Sequence, residues 1–526
     1  MQDPLTIGQM LAAQARLFPD RVGARDLDRA MSFRVWNARA RRLANALLGL
    51  GLGKGDRVAV LAYNRIEWAE IYAATAKAGL IAVPVNFRLV GPEIAYILEN
   101  AGAAALIVED ALAGAIEPLR AALPFPASRL IHLGPACPAE YRDYEALIEA
   151  AADREPEQSV APADPWTLMY TSGTTGRPKG VLRSHKATAI LAFVTAIEFA
   201  LHRNDAALLV MPMCHANSLN FLSGFAYCGA TTAIYSRRSF DPEHCLRALA
   251  DTGASFTSLV PTHYIMMLGL ADAVWARHDL GRVAKVLISS APARPDTKRE
   301  VMARFRNSGL FEMYGSSEAG WVTVLRPHEQ FTKLGSVGRE CVGAAPIRLL
   351  DADGNEVADG EAGELHSNNA HSFDRYWEMP DKTREAFRGE YCTVGDMARR
   401  DADGYIHLVD RKSNMIISGG ENIYPSEVEA VLGAHPGVQD VAVIGLADAK
   451  WGERVHAVIV PRAGMAPSEA ELLDWCKDRI AGYKRPRSCT FLPENQVPRT
   501  ATGKILHRVL KAQLAGIAPS NQGAKR

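Results

Sequence analysis

The chain predicts an α/β fold, with a large N-terminal domain of mostly parallel sheets flanked by helices, a small β subdomain, and a separate C-terminal α+β domain. Three observations carry that prediction. Apolar runs at 58–62, 80–85 and 104–108 alternate with helical patterns at 68–77 and 93–99, and the alternation continues to about residue 310. Strands spaced by helices of that length pair in parallel. From 335 to 410 the texture changes to short strand candidates and tight turns, among them Asp351 to Gly354 and Asp401 to Gly404. After Arg411 an independent pattern restarts and fills roughly 115 residues, the size of a small domain.

Taken in order, Gly55-Asp56-Arg57 leads into the first run, and Gly91-Pro92 opens the helix that precedes 104–108. A strand is expected at 166–169. Residues 206–236 form the longest stretch without Asp, Glu, Lys or Arg. They contain Pro212, His215, Asn217, Asn220 and two glycines, so they read as a buried strand, loop and helix and not as a membrane span. The two acidic turns lack the spacing of a calcium loop and read as hairpins. In the last part, helices are expected at 426–432 and 469–481, and strands at 438–446, 455–461 and 488–492. The boundary falls at 410–414, dividing the chain into 1–410 and 411–526.

Composition narrows the class. The chain has 526 residues, with 59 Lys plus Arg against 59 Asp plus Glu, hence a formal net charge of zero. That balance argues against a surface built for nucleic acid or anionic membranes. With 48% hydrophobic and 22% charged residues, the composition is that of a globular protein. The eight cysteines form no CxxC pair, and the N-terminus has no basic leader, so a reducing cytoplasmic setting is expected. Residues 517–526 are polar and expected to fray.

The strongest chemical signal follows the strand at 166–169. Tyr170-Thr-Ser-Gly-Thr-Thr-Gly-Arg-Pro-Lys-Gly180 packs hydroxyls, glycines and a lysine into a short loop. Glycines let backbone N–H groups approach an anion, and Lys179 adds charge. Pro178 before the lysine excludes a Walker A loop. Further on stand Tyr314-Gly-Ser-Ser-Glu-Ala-Gly320, Tyr391-Cys-Thr-Val-Gly-Asp396, Asp410-Arg-Lys-Ser-Asn414 with Ser418-Gly-Gly-Glu-Asn422, and Pro498-Arg-Thr-Ala-Thr-Gly-Lys504.

In this order the motifs resemble the signatures of the adenylate-forming superfamily, which includes AMP-forming acyl-CoA synthetases, firefly luciferase and the adenylation domains of peptide synthetases. The resemblance spans about residues 5–512. It implies an AMP-forming carboxylate–CoA ligase acting on a hydrophobic acid, either a medium- or long-chain fatty acid or an aryl acid, with ATP, Mg²⁺ and coenzyme A. It implies ATP and AMP binding by Thr171, Ser172, Gly173, Thr174, Thr175, Gly176, Lys179, Tyr314, Gly315, Ser317, Asp396 and Arg411. Glu318 would hold Mg²⁺, a hard cation that prefers carboxylate and phosphate oxygens. Lys504, Glu318 and His215 would be catalytic, and Lys504 would serve only the first half-reaction.

The resemblance also makes the C-terminal domain mobile. Ser413 stands where relatives often carry Asp or Lys as the pivot. Gly419 and Gly420 would admit the pantetheine arm of coenzyme A, with Trp451 as a coenzyme A contact or a core anchor. Met211-Pro-Met-Cys-His-Ala-Asn217 resembles the lining of the acid pocket, whose residues would be Phe193, His215, Asn217, Met313, Gly315 and Trp321. An uncharged lining suits an apolar acyl or aryl group. Arg183 and Arg294 keep a second substrate carboxylate open. The partners implied are small molecules, with no nucleic acid and no integral membrane segment, and a homodimer is compatible. Two other readings stand beside this one. In one, the enzyme adenylates an acid and passes it to a carrier protein or another acceptor. In the other, the chain is a non-catalytic acyl- or nucleotide-binding protein.

Overall fold

The computed structural model describes residues 5–171, 178–290, 293–418, 421–477, 479–500 and 503–515. The chain divides into two compact units: Met1–Ile347 with Ser367–Val394, and Arg348–His366 with Gly395–Arg526. The expected hinge at 410–411 lies inside the second. Among the described residues no helix is long and apolar enough to cross a membrane.

The first unit holds two large sheets. One runs Arg375–Tyr376, Lys179–Ser184, Pro165–Thr171, Ile81–Val85, Arg57–Leu61, Ala103–Glu109, Leu130–Leu133 and Arg142–Asp143. From Pro165–Thr171 onward its pairings are parallel. The apolar run at 58–62 makes Arg57–Leu61, buried along nearly its whole length, as a strand covered on both faces must be. The helix read at 68–77 spans Glu67–Ala78 and is buried all round. Its charges are paired instead of solvated, Glu67 with Arg29 and Arg65, Glu70 with Arg39, and Lys77 with Glu155.

The other sheet has nine strands. Its parallel centre is Gly309–Ser316, Lys285–Ser289, Phe256–Leu259, Ala206–Leu209 and Thr231–Ile234. Gly320–Leu325 extends it antiparallel beyond Gly309–Ser316. The uncharged stretch 206–236 is the strand Ala206–Leu209, a loop, the helix Ala216–Tyr227 and the strand Thr231–Ile234. The helix His185–Glu198 starts where Ser184 Oγ accepts from the Ala187 amide.

The second unit has a four-stranded antiparallel sheet, Arg348–Leu350, Gly363–His366, Asp396–Arg400 and Ile406–Arg411, and a five-stranded sheet centred on Gly452–Pro461. Asp401 to Gly404 is the hairpin turn between two of these strands. The helix expected at 469–481 stops at Trp475. There Cys476 is fully buried and the Trp475 indole donates to the Val431 carbonyl, which anchors the end. The Lys477 amide then bonds the Asp474 carbonyl in a tighter turn.

The imidazoles of His185, His371 and His456 are buried, and burial pushes each down to about 4. A folded-state pKa below the free value near 6.5 leaves stability untouched above that pH and removes it as pH falls through the folded value. Urea unfolding is therefore expected to be level above about pH 6.5 and then to weaken toward pH 4, by up to roughly 3 kcal/mol per ring. Stability held level down to pH 4 would contradict the assignment.

Candidate active site

Pro165–Thr171 and Lys179–Ser184 run antiparallel and pair Thr171 with Lys179. The loop between them carries Ser172, Gly173, Thr174, Thr175 and Gly176, which lie outside the described residues. Lys179 Nζ stands 4.1 Å from the centre of the Tyr376 ring, on the neighbouring edge strand. The Tyr376 hydroxyl donates to Glu318 Oε1 at 2.9 Å. Lysine, phenol and carboxylate thus form one row.

Glu318 rides on the turn between Gly309–Ser316 and Gly320–Leu325, and two glycines make that turn. Gly320 has φ +69°, and a Cβ on Gly315 would meet the Gly320 carbonyl oxygen at 2.1 Å. The pairing shifts register between Tyr314 and Gly315, and the chain doubles back through Ser317 and Glu318. Gly315 is thus required by the backbone, while Tyr314 and Glu318 are buried beside it.

Arg183 fixes the turn from behind. Its guanidinium donates to the carbonyls of Ser317 (2.6 Å) and His371, with Glu318 O at 3.5 Å. Burial, against the pull of Asp374 and Glu318, brings it down to about 10, so it remains a cation at neutral pH. Those contacts occupy the guanidinium, so Arg183 is not free to pair a second substrate carboxylate, which corrects the sequence expectation.

The expected acid-pocket residues gather at the C-terminal ends of the parallel strands, where open α/β sheets bind ligands. After Ala206–Leu209, Asn64 accepts from the Met213 amide at 2.7 Å and donates to the Met211 carbonyl at 3.1 Å, and the Tyr72 hydroxyl donates to the Met213 carbonyl at 2.8 Å. This brings His215 and Asn217 to the start of the helix Ala216–Tyr227. Asn217 Nδ2 donates to Ser289 Oγ, at the end of Lys285–Ser289, at 3.1 Å. Asn217 Oδ1 and His215 Nε2 are buried without partners among the described residues. Burial, helped by Arg88, pushes the His215 imidazole down to about 4, so it is neutral at pH 7. Met313 and Trp321 are buried in the same hydrophobic core as Met213 and Cys214, and Trp321 pairs with Gly315 across the ladder. Phe193 stands apart, 43% exposed, its ring edge-on to Tyr227 at 4.9 Å.

In the second unit, Asp396 and Arg411 face each other on paired strands, Arg411 Nε to Asp396 Oδ1 at 3.1 Å. Asp410 ties down the expected hinge. Its carboxylate accepts from the amides of Arg411 and Ser426 and from Asn414 Nδ2. Lys504 lies on a tight turn in which its amide donates to Thr500 Oγ1 and its carbonyl accepts from the Thr500 amide. Its ammonium is lowered by lost hydration and then by Arg411, against Asp396, Asp410 and Glu429, although the residue keeps an exposed surface. Trp451 is half-buried, with the Arg487 guanidinium 4.3 Å and Lys450 Nζ 4.8 Å from its ring. Gly419 and Gly420 lie outside the described residues.

Sequence reading missed Tyr376, Asn64, Asp410 and the positioning role of Arg183. Asp410 stood at the head of the hinge motif and Arg183 is a charge directly after the apolar pair Val181 and Leu182, while Tyr376 and Asn64 left no signal. For Mg²⁺ the donor set fits: one buried carboxylate, Glu318, with substrate phosphates to complete the shell.

Arg183→Met removes the donor from buried carbonyls, each costing about 1–3 kcal/mol when left unpaired. The urea midpoint is expected to fall and nucleotide affinity to fall with it, with Arg183→Lys intermediate. Calorimetric titration with ATP checks this, and unchanged affinity in a folded Arg183→Met would refute it.

The sequence matches the model of the AMP-binding enzyme family over residues 11–377 and that of the AMP-binding enzyme C-terminal domain over 427–504. It is 36% identical over 504 residues to a feruloyl-CoA synthase of Amycolatopsis sp, covering 95% of this chain and 97% of that protein. It is 34% identical over 517 residues to a long-chain-fatty-acid–CoA ligase of Mycobacterium tuberculosis, covering 98% and 99%. A solved anthranilate CoA ligase in complex with anthranoyl-AMP superposes with a TM-score of 0.88 at 28% identity, over 97% of each chain.

Proposed function

The chain belongs to the AMP-binding enzyme family, and on that premise we propose that it is an AMP-forming carboxylate–CoA ligase for a hydrophobic acid. The observation that carries the reading is the row Lys179, Tyr376, Glu318, which joins the phosphate-loop strand to the turn of the second motif. The reading divides the work at 410–411, with nucleotide and acid on 1–410 and the lysine on a mobile 411–526.

In the first half-reaction a carboxylate oxygen of the acid attacks the α-phosphorus of ATP, and pyrophosphate leaves. Both reactants are anions, so the chain must offset their repulsion. Lys179 is assigned to the phosphates, with the hydroxyls of Thr171, Ser172, Thr174, Thr175 and Ser317. Mg²⁺, held by Glu318 and the phosphates, would neutralise charge on the leaving group. Tyr376 orients the Glu318 carboxylate. Lys504 is assigned to the charge that develops on the α-phosphate, where a well-placed donor is worth about 3–4 kcal/mol. Lost hydration and the neighbouring Arg411 lower its ammonium below the ordinary lysine value. Asp396 and Arg411 are assigned to the ribose, and Tyr314 to the adenine. A neutral His215 can line an apolar acyl group without bringing a charge into its pocket.

In the second half-reaction the thiolate of coenzyme A displaces AMP from the acyl carbonyl. Gly419, Gly420 and Trp451 are assigned to that step. Trp451 with Lys450 and Arg487 makes a cationic face suited to a phosphorylated ligand. The setting is taken as cytoplasmic from the scattered spacing of the eight cysteines, which includes no CxxC pair.

The test is AMP release over a panel of acids, with and without coenzyme A. AMP released only when both are present supports the ligase. Transfer that requires a carrier protein and ignores coenzyme A supports the second reading, and AMP from no acid removes the enzyme reading. Lys504→Ala is expected to lower adenylation at least about a hundredfold while keeping thioester formation from preformed acyl-adenylate. An equal loss in both steps would contradict the assignment of Lys504.

A further inference from the structure

The geometry points to a short acid pocket closed by Trp321, and we infer that the enzyme selects compact acids, an aryl or short acyl group, and rejects long unbranched chains. This rests on the ligase reading and adds the substrate class and the residue that sets it.

The helix Ala216–Tyr227 enters the core from the pocket side. Asn217, Phe221 and Phe225 follow one another at four-residue spacing on the same face. Asn217 is tied to Ser289 at the strand ends, with its Oδ1 and the His215 Nε2 unpartnered, as befits a surface that receives a ligand. One turn deeper, about 6 Å along the helix axis, Phe221 is fully buried, its ring centre 5.4 Å from that of Trp321 and 4.6 Å from that of Phe256. Behind these rings Phe199 packs on Phe221, Phe256 and Phe311 at 5.5, 5.8 and 5.2 Å. One helical turn, about 6 Å, separates Asn217 from this wall, comparable to one aromatic ring and far shorter than an extended long chain.

Trp321 cannot easily swing aside. Its indole N–H donates to Thr195 Oγ1 at 2.7 Å, a buried bond between the strand Gly320–Leu325 and the helix His185–Glu198. The route between the two helices is also shut. A Cβ on Gly224 would meet Thr195 Cγ2 at 3.0 Å, so the helices touch backbone to side chain at that level. A longer acid must therefore displace close-packed rings. Forcing extra methylenes into a packed interior typically costs about 1–3 kcal/mol, or roughly ten- to a hundredfold in selectivity.

The test measures kcat/KM for acid-dependent AMP formation with benzoate, cinnamate and straight-chain acids from butanoate to hexadecanoate. The ratio of hexadecanoate to the best compact acid cancels any difference in folded fraction between variants. For the native enzyme that ratio is expected to be about 0.1 or less. Trp321→Ala should raise it at least tenfold. Thr195→Val, which keeps volume but removes the indole's acceptor, should raise it severalfold. Native turnover of hexadecanoate equal to that of the compact acids would overturn the inference and leave the ligase intact. An unchanged ratio in folded Trp321→Ala, or in Thr195→Val where the first variant fails to fold, would also overturn it. Failure of every acid to yield AMP would remove the ligase reading and this inference together.

Discussion

The site depends on one buried cation. Arg183 leaves the penultimate position of the strand Lys179–Ser184 and donates to the carbonyls of Ser317 and His371. It therefore joins the phosphate-loop strand of the eight-stranded sheet to the turn that ends Gly309–Ser316 in the nine-stranded sheet. A guanidinium keeps its proton at neutral pH even when burial lowers it to about 10, so it can serve in an interior where a lysine would risk losing its charge. With that turn held, Glu318 reaches Tyr376, and Tyr376 lies under Lys179. A different arginine geometry would move Glu318 relative to Tyr376 and Lys179.

The zero net charge of the chain takes on a local meaning. A polyanionic substrate needs positive potential only where its phosphates lie, and a low-dielectric site strengthens each cation placed there. Lys179 and Arg183 stand in the first unit, Arg411 and Lys504 in the second, while many of the chain's charges are tied into pairs such as Lys298 with Glu312. The pocket follows the opposite rule. His215 is held neutral by burial, and Trp321, Phe221 and Phe256 present only rings. On the proposed reading, an anionic carboxyl would be met by cations and its apolar remainder by aromatic surface.

Much of this was legible in the residues. The period of the apolar runs located the strands Arg57–Leu61, Ile81–Val85 and Ala103–Glu109 to within a residue or two, because each is buried on both faces. The turn chemistry of Asp401 and Gly404 marked its hairpin because Asx and glycine signals are local. The motifs pointed to Lys179, Glu318, Asp396, Arg411 and Lys504. Long-range partners left no local trace. Tyr376 lies 58 residues from Glu318 in the chain, and Asn64 lies 149 from Met213. Gly315 was read as a pocket residue, yet its lack of a side chain is demanded first by the Gly320 carbonyl. The helix after Glu469 ended early because a buried Cys476 and the Trp475 hydrogen bond decide its end, and both are tertiary facts.

The central claim is that the row Lys179, Tyr376, Glu318 activates an acid on ATP before any thiol is involved. The most direct measurement is exchange of labelled pyrophosphate into ATP, followed with a compact aryl acid present or absent, in the absence of coenzyme A, for the native enzyme and for Glu318→Gln. The account predicts exchange that requires the acid, proceeds without coenzyme A, and falls at least about a hundredfold in Glu318→Gln. Exchange that needs no acid, or that survives Glu318→Gln at the native rate, would contradict it.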